Sequence, residues 1–216
     1  MPASLRSLAA VLAFSLGACL PPPLADCGDV SCGDPPLTTG GVASEPTTGP
    51  GGDAWMLYYE AKTGRVRALN GSGRSPRALT REQLRARGLR RIAPDSWESV
   101  TVPGAPGAWL AAHARFGRLP FAATLAPAIE LAAGGFPVTE QVARMWRENE
   151  RALRRDPWTA RAWLTPEGRA PRAGEVFRAP ALARTLRRLA EEGREGFYGG
   201  PIAREIVRHA RETGGY

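Results

Sequence analysis

Lysine is nearly absent from this 216-residue chain, in which Lys62 stands alone beside 28 arginines. Histidine is limited to His113 and His209, and the three cysteines, Cys19, Cys27 and Cys32, all fall within the first 32 residues. An odd set of cysteines with no His or Cys partner farther on excludes a zinc framework. The two histidines stand apart, each inside a helical pattern, and are read as surface or hydrogen-bonded groups rather than catalytic ones. No pattern calls for a metal or a cofactor. The leading apolar run, from Leu8 to Leu16, is too short to span a membrane as a mature helix.

What is present is arginine, proline and glycine in excess, with a net charge of +8 and a pI near 10.4. A bias to arginine over lysine, with many Pro, Ala and Gly, is the mark of GC-rich coding, so the basic balance is weak support for a nucleic-acid partner. Eight arginines lie between Arg144 and Arg172, but Glu148, Glu150, Asp156 and Glu167 interrupt them. They read as a solvated face, with no nucleic acid expected. The hydrophobic share of 43% is globular.

Residues 1–40 form a leader-like and Pro/Gly-rich segment. Arg6, the apolar run and small residues resemble a secretory signal, and Leu16-Gly17-Ala18-Cys19 resembles the box before a lipidated cysteine. Export or lipid anchoring is one reading; a start-site or reading-frame artefact, with a cytoplasmic protein, is the other. Residues 21–46 have loop composition.

The organising stretch is residues 49–76. Trp55-Met-Leu-Tyr-Tyr59 and the run from Arg65 to Asn70 predict a β-hairpin closed by Lys62-Thr63-Gly64. The first strand is apolar on both faces, which predicts burial between two layers. In the second, Val66 and Ala68 share a face opposite Arg65 and Arg67. Thr80-Arg-Glu-Gln83 predicts a capping box opening a short helix that stops near Gly88. Helices are then predicted over 108–116, over 119–134 with Thr124 as N-cap, over 139–155, over 179–192 and from Pro201 to about Gly214. Residues 158–174 read as a loop. Among apolar stripes, Leu182, Leu186 and Leu189 form one, and Ile202, Ile206 and Val207 another.

Four stretches, in order, resemble γ-glutamyltranspeptidase (glutathione hydrolase) precursors. They are Gly41-Val-Ala-Ser-Glu-Pro-Thr-Thr-Gly-Pro-Gly-Gly52 with the hairpin after it, and Val102-Pro-Gly-Ala-Pro-Gly-Ala-Trp109. Third comes Phe116-Gly-Arg-Leu-Pro120 with Leu125-Ala-Pro-Ala-Ile-Glu-Leu-Ala132 and Gly135-Phe-Pro-Val138. Last is Leu182-Ala-Arg-Thr-Leu186 with Phe197-Tyr-Gly-Gly-Pro-Ile-Ala203. Together they make residues 41–216 an incomplete large-subunit domain. The resemblance implies an α+β chain, a partial N-terminal nucleophile hydrolase αββα sandwich with one hairpin followed by a mostly helical region. It implies a precursor that cuts itself, whose second subunit begins with a nucleophilic threonine activated by its own α-amine. No threonine here has that context, so the catalytic nucleophile is expected outside the chain, in a small subunit, and this chain alone is expected to be inactive. The substrate implied is a small γ-glutamyl compound or a related amide. In the family an arginine after the second strand grips the substrate carboxylate; here Ser72 takes its place in Asn70-Gly-Ser-Gly-Arg-Ser-Pro76, and Arg74 stands two residues on. That form resembles the acylase-like branch. Arg74 and Ser72 are the candidate substrate-binding residues. A non-enzymatic exported protein on a decayed amidase scaffold is the alternative.

Overall fold

A computed structural model describes residues 49–93 and 96–216. The leader-like segment, its three cysteines and the family-like residues before Gly49 lie outside them. The chain opens with strands β1 (Ala54–Glu60) and β2 (Arg65–Gly71), paired antiparallel with Leu57 opposite Ala68. Gly64 takes a φ of 65°, the turn conformation its position predicts.

Alternation along β1 separates two faces. Met56 and Tyr58 turn inward to α2 (Ala105–Phe116), where the Tyr58 and Phe116 rings stack with centroids 3.9 Å apart. Trp55, Leu57 and Tyr59 turn outward beside Val66 and Ala68 and stay exposed. Only one face of the apolar strand is therefore covered within the described residues. In β2 the covered face carries Arg67 and Leu69, with Arg67 against Glu60 at 3.3 Å.

Helix α1 (Arg81–Ala86) begins with the predicted capping box, Thr80 Oγ1 accepting from the Gln83 amide and Gln83 Oε1 from the Thr80 amide. After a 3₁₀ turn at Trp97–Ser99 come α2 and α3 (Phe121–Gly134). The N-cap of α3 is Pro120, not Thr124, whose hydroxyl instead donates to the Phe121 carbonyl at 2.6 Å. The two-residue strands β3 (Phe136–Pro137) and β4 (Val176–Phe177) flank α4 (Glu140–Leu153), capped by Thr139 as predicted, and α5 (Pro157–Trp163). Helix α5 takes up the first residues of the loop expected over 158–174, and residues 164–174 are turn and loop as expected. Asp156 nucleates it, its Oδ2 accepting from the Thr159 amide at 2.7 Å and hydroxyl at 2.6 Å, with Pro157 in the first turn. Helices α6 (Pro180–Tyr198) and α7 (Pro201–Glu212) close the chain.

The core is helical. Leu125 of α3 packs with Leu189 and Phe197 of α6, joined by Trp109, Leu110, Ile202 and Ile206. A second cluster gathers Val142, Trp146 and Leu153 of α4 with Leu164 and Phe177, the Trp146 and Phe177 rings meeting edge-on at 4.6 Å. Val207, expected on the apolar stripe of α7, is 41% exposed. No helix of the described residues is long and apolar enough to cross a membrane.

Candidate functional site

The hairpin's exit runs into the start of α2, and a cleft of about 490 Å³ opens where they meet. Its floor is backbone held against backbone. The Val102 amide donates to the Arg74 carbonyl at 2.9 Å, and the Gly104 and Ala105 amides donate to Gly52 O at 2.9 and 2.8 Å. The Gly73 amide donates to Asp53 Oδ1 at 2.6 Å, and the Ser72 amide to Asn70 Oδ1 at 2.9 Å, an Asx turn. Contact here is so close that side chains are excluded: a Cβ on Gly73 would lie 1.9 Å from Val102 O, and one on Gly104 2.0 Å from Gly71 O.

Tyr198, at the end of α6, fastens the far wall. Its hydroxyl donates to Pro103 O at 2.7 Å and accepts from the Gly107 amide at 2.9 Å. Burial raises its pKa, against the opposing pull of the Gly107 amide and the Arg194 charge, so it stays a neutral donor at physiological pH. The guanidinium of Arg194 lies over its ring, 4.8 Å from the centroid.

Both candidate residues from the sequence, Ser72 and Arg74, line this cleft. So do Arg77 and Arg194, which sequence reasoning did not single out. The lining holds three arginines and, among the described residues, neither a carboxylate nor a histidine. No described residue of the lining offers Ser72 a general base. The histidines are engaged elsewhere: His113 Nε2 donates to Leu119 O at 2.7 Å, and His209 sits near the rings of Trp97 and Trp158. No cluster that could hold a metal ion occurs among the described residues. Tyr198 had a signal in the Phe-Tyr-Gly-Gly stretch; Arg194 had one in Gly193, a break inside an otherwise amphipathic helix.

A family model for gamma-glutamyltranspeptidase matches residues 37–216. The chain belongs to this family. It is 40% identical over 172 residues to the glutathione hydrolase-like YwrD proenzyme of Bacillus subtilis, covering 78% of this chain and 32% of that protein. It is 36% identical over 166 residues to the oxamate amidohydrolase proenzyme of Klebsiella pneumoniae, covering 74% and 30%. Among solved structures, cephalosporin acylase from Bacillus halodurans superposes with a TM-score of 0.71 at 42% identity, over 78% of this chain and 32% of that one. Helicobacter pylori gamma-glutamyltranspeptidase gives 0.73 at 21% identity, over 83% and 51%, a likeness of fold. The chain spans about a third of the length of the relatives it matches. The fold is thus that of the N-terminal nucleophile hydrolases of this family, of which the described residues hold a hairpin and a helical layer. These relatives are named as hydrolases and acylases, and several as proenzymes.

Proposed function

We propose that this chain is the large-subunit portion of a γ-glutamyltransferase-like amidohydrolase, supplying scaffold and one wall of the substrate site. The observation that carries this reading is the cleft at the hairpin's exit, where Arg74 follows Gly73 in backbone packed too closely to admit a Cβ. A guanidinium there offers a planar fork to the carboxylate of an acyl donor. Ser72 contributes a neutral hydroxyl beside it. The nucleophile is a threonine that begins a second subunit, outside this chain. Its α-amine takes the hydroxyl proton, the oxygen attacks the amide carbonyl, and the amine leaves with that proton. Water or an acceptor amine then releases the acyl group.

Two measurements test this. The purified 216-residue chain should release no nitroaniline from a γ-glutamyl 4-nitroanilide above background; turnover by the chain alone would overturn the assignment. In the processed two-subunit enzyme, Arg74→Gln should raise KM about 10- to 100-fold, the loss of one charge-assisted fork. An unchanged KM would remove Arg74 from the site.

A further inference from the structure

We propose that the cleft binds ligands bearing two carboxylates, with Arg74 taking one and Arg194 with Arg77 taking the other. This rests on the reading of the cleft as the substrate site and extends it to the substrate's charge.

Three observations carry it. The first is charge: Arg74, Arg77 and Arg194 line one cleft with no acidic residue in its lining, and none of the three makes an ion pair among the described residues. Elsewhere the chain matches its arginines to carboxylates repeatedly, as Arg208 is matched to Glu205 and Glu212. Asp53, beneath the floor, is engaged with the Gly73 amide; three unpaired cations in one lining repel one another, and an anionic ligand relieves that repulsion.

The second is placement. Helix α6 is interrupted at Gly193, with φ 58° and ψ −136°. Residues after the break take a new phase about the helix axis, which brings Arg194 over the Tyr198 ring and within reach of the first turn of α2. A Cβ added at Gly107 would lie 3.4 Å from an Arg194 Nη. A left-handed φ is affordable only because the residue is glycine.

The third decides which groups meet the anion. The start of α2 would ordinarily offer free amides to a carboxylate. Here the Gly104 and Ala105 amides are committed to Gly52 O, residue 106 is proline, and the Gly107 amide is committed to Tyr198. Recognition falls to the arginine side chains, which select by number and spacing of carboxylates.

The test is a titration of the chain, by calorimetry or NMR, with butyrate and glutarate in low salt. Glutarate should bind about fivefold or more tighter than butyrate, the scale of one added exposed ion pair, and 0.5 M salt should erase the difference. Arg194→Met keeps the stem over Tyr198 and removes the charge. It should abolish the preference for glutarate without altering the far-ultraviolet dichroism, and Arg194→Lys should restore part of it. Equal binding of butyrate and glutarate, or an undiminished preference in both Arg194→Met and Arg77→Gln, would overturn the proposal. Because the readout is binding, its failure is separable from failure of the hydrolase assignment, which turnover reports.

Discussion

Glu98 sits where three segments meet. Its side chain is 10% exposed, with Arg87 Nη2 at 2.7 Å and the Tyr216 hydroxyl donating at 3.0 Å, while neighbouring Trp97 donates its Nε1–H to Thr213 O at 3.0 Å. Burial works to raise this carboxyl. Hydrogen bonds from its own backbone amide, Ser96, Tyr216 and Arg87 outweigh burial and bring it down to about 2, from an ordinary 4.5. A carboxyl more acidic in the folded state contributes its full stability above 4.5 and loses it as pH falls toward 2. Thermal midpoints should therefore drop across that window, and Glu98→Gln should flatten the drop and cost about 1–2 kcal/mol at neutral pH. Glu175, also brought to about 2 by Arg169 and the Arg172 amide, shares the acid limb, but its exposure screens it, so the Glu98 variant should show the larger change. An acid limb identical in Glu98→Gln would contradict this assignment. At the cleft, Gly73→Ala puts a methyl on the Val102 carbonyl; it should destabilise by more than about 1 kcal/mol and weaken carboxylate binding together.

At the scale of elements, α5 shows what a sequence hides. Its seven residues are fewer than two full turns of apolar period, and Trp158 points outward while Thr159 is fully buried. The helix exists because buried Asp156 satisfies the Thr159 amide and hydroxyl at once, a cap legible only after the helix is suspected. Asp156→Ala should cost about 1–2 kcal/mol, measured by urea unfolding, and release α5 first in hydrogen exchange. The capping box at Thr80 and the cap at Thr139 were legible because standard residue patterns announce them. The continuation of α6 past Glu192 was not. The helix expected over 179–192 does end in a break at Gly193, and burial of Phe197 with the two hydrogen bonds of Tyr198 holds a second helical piece beyond it. The same distinction divides the lining of the candidate cleft. Arg74 and Ser72 are local to the hairpin's exit and could be read from it, whereas Arg194 reaches the cleft only through the packing of α6 on α2 and α3.

At the scale of the whole molecule, the two layers are unequally finished. The helical layer closes its own core, with Leu125, Leu186 and Leu189 almost wholly out of water. The hairpin is covered on one face and presents Trp55, Leu57, Tyr59 and Val66 on the other, each more than 60% exposed. Two strands with a bare apolar face are marginal alone, and an αββα sandwich places a second sheet against such a face. Trp55 reports on that directly. The chain has six tryptophans, so the difference spectrum between wild type and Trp55→Phe isolates its emission. In the 216-residue chain that emission should be red and open to acrylamide. In the proposed two-subunit enzyme it should shift to the blue and lose most of its quenching, while light scattering from self-association of the chain falls. Leu57→Lys should lower that self-association in the isolated chain yet impair assembly, because the charge would have to enter the interface between the sheets. If Trp55 stays open to quencher in the assembled enzyme, the outer face of the hairpin is not where the second layer packs.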